Sequence, residues 1–455
     1  MRFWEGGGVR TALAILVLLL GAELVARLVP ALRRLGLPLA IVAGTAGLLL
    51  GDQALAWIHL DTQLLESAVY HGLAVVFIAV GLQAPAGGGR SAGARSMAFA
   101  IPFMMGTQDL LGLGAVLLLD RSLHPGFGLL LPMGFKEGPG RALSMGAAWE
   151  ASGLPAGAQV GLVTAVLNYA WCVVAGIPLV IWGRRRGWAG SAEAAGWPSA
   201  QAPAVDPAAE SGIEALGRQA ALVGFCYLLT WAACAALARA LSGSPDLAAM
   251  VWGFHFIIGA TIAMIVRSLL DRVPGPALVD NALMGRLGGT TVDLITASAL
   301  AAVQLTVLRA HWLPIALVTT LGGLWTPGLC VWMARRAWTE APFEHAVLWF
   351  GMSTGTLPTG LALLRVVDPE LRRPAAVSAV FGSAGSIPGV APLLLLLIPA
   401  TVQAFGTGWP GRGWLMLGAL ALYCLIVLVL WRAVGGLRFR RPLGSAWPPL
   451  ADPKA

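Results

Sequence analysis

The chain has 455 residues, 57% of them hydrophobic and 11% charged, with a formal net charge of +8. Its mean hydropathy of +0.77 excludes an ordinary soluble domain with a polar surface and makes the bilayer the solvent. The positive charge does not point to nucleic acid, because the basic residues form short clusters between apolar runs rather than one continuous face.

Apolar runs of about 20 residues without period-2 alternation satisfy their backbone in hydrocarbon as helices, not as a barrel. The expected fold is therefore an all-α membrane protein. In chain order, spans are predicted at 11–29, 38–58, 66–84, 96–119, 157–182, 218–241, 249–270, 286–306, 313–334, 374–400 and 413–433, about eleven transmembrane helices. The first run follows Arg2 and Arg10, carries Glu23 and Arg27 and has no small-residue cleavage site, so it reads as a retained span rather than a signal peptide. Stretches 126–151 and 343–366 are apolar but broken by Gly and Pro, and read as re-entrant hairpins.

Residues 184–217, with Arg184, Arg185, Arg186, Pro198, Pro203 and Pro207, read as a cytoplasmic linker. It joins an N-terminal half, 1–183, to a C-terminal half, 218–402, and residues 403–455 add an extra transmembrane helix and a basic cytoplasmic tail. Most of the Arg residues fall in loops on one side if the N-terminus is outside and the C-terminus cytoplasmic, the arrangement expected of a multi-pass protein of the cell (inner) membrane. Cys172, Cys226, Cys234, Cys330 and Cys424 all lie within predicted spans and form no CxxC, so free thiols and no metal centre are expected.

The order of elements repeats. Gly134-x-x-x-Gly138 in the first hairpin recurs as Gly351-x-x-x-Gly355 in the second, an offset of 351 − 134 = 217 residues, and the same offset carries spans 66–84, 96–119 and 157–182 onto 283–301, 313–336 and 374–399. Each half holds five spans and one hairpin. Five is odd, so the second half enters the membrane upside down and the two hairpins dip in from opposite sides, the geometry of an alternating-access site.

The candidate site residues lie at these breaks. In the first hairpin Gly138, Gly140 and Arg141, and in the second Gly351, Thr354, Gly355, Thr356 and Thr359, are expected to hold an anionic substrate through uncovered amides, hydroxyls and a guanidinium. Lys136 and Glu137 are ionisable groups in an apolar hairpin and read as participants in coupling; the alternative is that they and Arg141 sit at the hairpin's aqueous mouth as a solvated local ion pair. Gln108 and Asp109 in one span, Asp293 in another and Ser353 complete the expected cation or proton coupling set, because an embedded carboxylate is costly unless paired, hydrated or bound to a cation. For Asp109 and Asp293 the alternative is a salt link to a neighbouring Arg. No cofactor is expected, and no metal beyond Na⁺ as a coupling ion.

These features resemble the bacterial sodium/glutamate symporter family. The residues that carry the resemblance are Val80-Gly81-Leu82, Gln108-Asp109-x-x-Gly112-x-Gly114, the hairpin from Gly134 to Gly140 followed by Ala147-Ala148-Trp149, and Gly351 to Gly360 with Pro358-Thr359, in order over most of residues 11–400. The resemblance implies a homodimeric, elevator-type, Na⁺-coupled importer of an acidic amino acid. The chain departs from the family pattern in its charged first hairpin, in Asp109 where Asn is usual, and in the final span 413–433. These departures leave open a different small carboxylate and H⁺ in place of Na⁺.

Two other classes compete with this reading. An intramembrane serine hydrolase would use Gly382-Ser383-Ala384-Gly385-Ser386, but the sequence has no GxSxG elbow there and no HExxH. A receptor or scaffold keeping the transporter fold would bind ligand without flux.

Overall fold

The apolar runs fold as helices, since in hydrocarbon the i to i−4 ladder pairs each backbone group within its own segment. The structure, a computed structural model, describes residues 7–29, 38–83, 91–189, 213–274, 278–368, 371, 373–405, 411–440 and 442–448. Its helices are α1 (Gly7–Leu28), α2 (Leu39–Leu50), α3 (Thr62–Leu82), α4 (Ala92–Leu119), α5 (Gly126–Pro132), α6 (Pro139–Glu150) and α7 (Gly157–Arg185). The second half holds α8 (Ile213–Ala240), α9 (Pro245–Gly253), α10 (His255–Leu270), α11 (Asn281–Ala301), α12 (Leu305–Ala310), α13 (Trp312–Ala337), α14 (Pro342–Ser353) and α15 (Leu357–Leu364). It ends with α16 (Pro374–Gly385), α17 (Ile387–Pro392), α18 (Ile398–Ala404) and α19 (Gly411–Leu430). Among the described residues there is no strand, and 8 helices are long and apolar enough to cross a membrane, or 9 if the pair at α9 and α10, bent by 59°, is one span.

Several expected spans take a different form. The span expected over 38–58 is helical only as α2. Beyond Gly51 the Asp52 carboxylate lies 2.9 Å from His59 Nδ1 and accepts the Leu60 N–H at 3.1 Å, which folds residues 51–60 into a loop. The hydrogen bond from His59 also holds the Asp52 carboxyl below its ordinary range. The span at 249–270 is broken at Phe254, where the His255 ring nitrogens sit 2.8 Å from the Trp252 carbonyl and 3.1 Å from that of Tyr70. The span at 374–400 breaks at Ser386, whose hydroxyl donates to the Ser383 carbonyl just before Pro388, a residue with no N–H to offer the ladder. The segment expected at 286–306 is α11, which interleaves Arg286, Thr290, Thr291 and Asp293 and is not among the 8. Both ends of the expected linker 184–217 are helical, in α7 and α8, while residues 190–212 lie outside the described residues.

The helices pack in two groups. In one, α3 lies against α10 and α11, α2 packs on α11, α1 on α2, and α8 on α10. Small residues set these approaches: a Cβ at Gly81 would stand 2.6 Å from the Ala260 carbonyl, and one at Gly44 2.6 Å from Leu300 Cβ. In the other group α4 is central, surrounded by α5, α13, α16 and α19, while α7 packs on α6 and α13, and α14 on α13 and α15. The groups meet where α6 touches α3 and α9.

The two interrupted stretches are helical hairpins. The first runs from α5 through a wide turn, Met133–Glu137, to a break at Gly138 and back along α6. Its two ends are neighbours, since a Cβ at Gly126 would stand 2.8 Å from Leu154 Cδ2. In the second, α14 and α15 fold face to face, with a Cβ at Gly351 reaching within 2.7 Å of Gly360 Cα. Its base is closed by the buried ion pair of Arg373 with Glu344. Helix α4 relates the two. At its start the Trp338 indole donates to the Gly93 carbonyl and Ser96 donates to the Ala337 carbonyl, beside the first turn of α14; at its end it runs through Asp120 into α5. The hairpins therefore spring from opposite ends of α4.

Candidate functional site

Gly138 sits where the first hairpin turns, with φ +85° and ψ 175°, a conformation that residues with a Cβ seldom adopt. A Cβ here would stand 3.1 Å from Thr356 Cγ2, so the tip of the first hairpin touches the tip of the second. Gly140, on the first turn of α6, lies against Leu73 of α3 at 3.0 Å from a built Cβ. These two contacts explain the glycines: one frees the turn, the other allows close approach.

Buried polar side chains brace both tips. Asn168 of α7 donates to the carbonyls of Gly134 and Phe135, at 3.2 and 3.1 Å, where the wide turn loosens the first hairpin's ladder. Gln108 of α4 donates to the Ser353 carbonyl at 3.3 Å and to Thr326 Oγ1 at 3.0 Å, and Thr326 donates in turn to the Gly322 carbonyl. Ser353 and Thr354 are fully buried, and Thr354 donates to the Phe350 carbonyl. Gly355 packs on Thr359, whose hydroxyl lies 3.5 Å from that of Thr356. The Ser353 hydroxyl, Gln108 Oε1 and Asn168 Oδ1 are buried without a hydrogen-bond partner. Unpartnered polar oxygens thus lie at the braces of both tips.

The charged side chains of the first hairpin are largely buried in the fold. The Lys136, Glu137 and Arg141 side chains are only 13%, 6% and 15% exposed. Arg141, one helical turn beyond Glu137, pairs with its carboxylate, while Lys136 Nζ lies 3.9 Å from the other carboxylate oxygen. The Arg141 guanidinium is also held between the rings of Phe77 and Phe256, 4.5 and 4.9 Å from their centroids. These three residues line a cavity of about 320 Å³ between α6, α10, α16 and the helix that follows Ser386. Of the residues expected to hold substrate, only Arg141 lines it; Gly138 and Thr356 make the contact between the tips, Gly140 packs on Leu73 of α3, and Gly351, Thr354, Gly355 and Thr359 make their contacts within the second hairpin.

No family model, curated protein or solved structure matches this chain. What the residues can do is therefore read from their own arrangement.

Two expected coupling residues are not brought to the tips. Asp109 is completely buried on α4, three residues from Gly106, which packs on Tyr423 and Cys424 of α19; neither carboxylate oxygen has a hydrogen-bond partner. Asp293 is exposed on α11, with no hydrogen bond or ion pair among the described residues. Neither makes the salt link to Arg weighed as its alternative. Among the described residues no three His, Cys, Asp or Glu side chains gather as metal ligands. All five cysteines are buried and free.

Sequence reasoning did not single out Asn168, Thr326, Phe77 and Phe256, and it read Ser383 only as part of a serine motif. A signal existed for two of them, since Asn168 and Thr326-Pro327 are polar or helix-breaking interruptions deep inside apolar runs. The phenylalanines carry no such mark; only the fold sets them over Arg141.

Proposed function

We propose that the protein is a secondary active transporter that moves a small carboxylate across the cell membrane by alternating access, with Na⁺ or H⁺ as the coupling ion. One observation carries the reading: two broken helices rooted at opposite ends of α4 meet tip to tip, Gly138 against Thr356, with buried unpartnered acceptors around them. Opposed half-helices offer uncovered amides and carbonyls to an anion and a cation at membrane depth, where a continuous helix has none to spare.

The finer architecture belongs to the same proposal: about eleven spans in two inverted repeats, 1–183 and 218–402, each with a re-entrant hairpin, and an extra helix and tail in 403–455. Contacts that exchange the halves support it. Helix α4 packs on α16 as α13 packs on α7, α2 on α11 as α10 on α3, and α1 on α2 as α8 on α10. At a two-fold axis, equivalent residues must touch. Gln108 bonds to Thr326 and the Trp325 indole to Thr107, each pair separated by 218 residues, close to the sequence offset of 217.

In this reading the N-terminus is outside, the first hairpin enters from outside and the second from the cytoplasm, and the group of helices around α4 moves against the group around α3 in a homodimer. The resemblance to sodium/glutamate symporters places an acidic amino acid among the carboxylates to be tried first. Purified protein in proteoliposomes is expected to accumulate a labelled carboxylate when an inward Na⁺ or H⁺ gradient is imposed. Binding without gradient-driven flux would favour the receptor reading, and absence of both would overturn the proposal.

A further inference from the structure

The cavity beside the first hairpin has a charge balance that selects its ligand. Lys136, Glu137 and Arg141 are the charged residues of its lining. Glu137 and Arg141 are committed to each other, and the guanidinium is further occupied by the faces of Phe77 and Phe256. Lys136 is left with a carboxylate oxygen at 3.9 Å, beyond hydrogen-bond length, and donates no hydrogen bond among the described residues. The three residues sum to a single positive charge. An ammonium offers three donors, and burying it unsatisfied is costly.

The remaining lining is apolar apart from three hydroxyls, those of Thr261, Ser383 and Ser386. The Ser383 hydroxyl is buried without a partner, while that of Ser386 is used on the Ser383 carbonyl. The walls are aromatic and aliphatic, and they include Met264, Ile387 and Leu395, which are among the exposed large hydrophobic residues. The volume of about 320 Å³ falls at the small end of ligand pockets.

We propose that this cavity binds a monocarboxylate with an apolar body and no α-ammonium group, its carboxylate on Lys136 and Ser383 and its body between Phe256 and the aliphatic wall. A second carboxylate would meet no uncompensated cation, and an α-ammonium would meet no free carboxylate, since Glu137 is already paired; each would lie desolvated against hydrocarbon. The assignment rests on reading the hairpin region as a substrate site, and it narrows that reading from small carboxylates in general to apolar monocarboxylates.

Equilibrium binding is measured apart from flux so that the two readings can fail separately. In phosphatidylcholine nanodiscs, phenylbutyrate is expected to raise the thermal midpoint of the protein with a saturable dose dependence, while phenylbutylamine, glutarate and glutamate at equal concentration are not. Lys136→Met is expected to weaken phenylbutyrate binding roughly tenfold or more, and Lys136→Arg to retain most of it. Equal stabilisation by the amine, or preference for glutarate or glutamate, overturns the proposal on the parental protein even where the Lys136 variants do not fold. Stabilisation by added phosphatidylglycerol that leaves no further effect of phenylbutyrate overturns it in favour of a bound lipid headgroup. Saturable phenylbutyrate binding without gradient-driven uptake supports the cavity assignment and counts against transport; gradient-driven glutamate uptake without phenylbutyrate binding does the reverse.

Discussion

The two hairpins share their glycine spacing but differ in what they bury. Gly134 and Gly138 of the first match Gly351 and Gly355 of the second, so at the repeat offset Lys136 and Glu137 stand where the second hairpin has Ser353 and Thr354. The second hairpin turns with neutral hydroxyls and is braced by Gln108. The first holds a largely buried ion triad, braced by Asn168 and two phenylalanine rings. One glycine framework thus carries two kinds of polar payload, and the charged one depends on Glu137 as the shared counter-charge of Lys136 and Arg141.

The largest expected effect breaks that dependence. Glu137→Gln leaves Lys136 and Arg141 buried with no counter-charge and is expected to cost about 3–5 kcal/mol, read as a lowered thermal midpoint and a smaller folded fraction in the membrane. Ser353→Ala, at the matching place, is expected to cost no more than about 1 kcal/mol. Equal losses would erase the contrast between the hairpins. Gly138→Ala comes next. Its φ of +85° and the neighbouring Thr356 Cγ2 make a Cβ costly, by about 1–3 kcal/mol for the backbone conformation alone. Proteoliposome uptake by this variant is expected to fall further than its stability, since the tip contact itself is displaced.

How much of this was legible in the sequence differs between the tips and their surroundings. Gly138, Gly355 and the Thr-rich second tip were visible because a helix broken inside an apolar run has to be marked by Gly, Pro and hydroxyl residues. The helical class and most of the spans were visible for the same reason of hydrocarbon solvation. Asp52 and Ser386 were not foreseen as ends of helix, because an apolar run looks the same whether it crosses straight or is interrupted by a side chain that captures a backbone group. Asp109 and Asp293 were expected in the coupling set because of their depth in a span, but depth does not give the face. The structure turns Asp109 with Gly106 toward α19 and leaves Asp293 exposed.

Smaller effects sharpen the comparison. Asn168→Ala frees the Gly134 and Phe135 carbonyls, and Gln108→Ala that of Ser353; each is expected to cost about 1–3 kcal/mol for the buried group left unpaired. Asn168→Ala should lower phenylbutyrate binding, because it loosens the turn that carries Lys136, whereas Gln108→Ala should leave it unchanged. Thr359→Ala is expected to cost under about 1 kcal/mol in thermal stability while weakening the cation dependence of uptake. If that dependence matches the parent's, the second tip is not where the cation acts.

The central claim is that the hairpins enter the membrane from opposite sides and meet inside it. Because all five native cysteines are buried, single cysteines introduced at the exposed bases report sidedness against a low background: Ala151→Cys for the first hairpin and Thr339→Cys for the second. With a membrane-impermeant thiol reagent applied to intact cells and to inverted vesicles, the account predicts labelling of Ala151→Cys only from outside and of Thr339→Cys only from the cytoplasmic side. Labelling of both from the same side would contradict it.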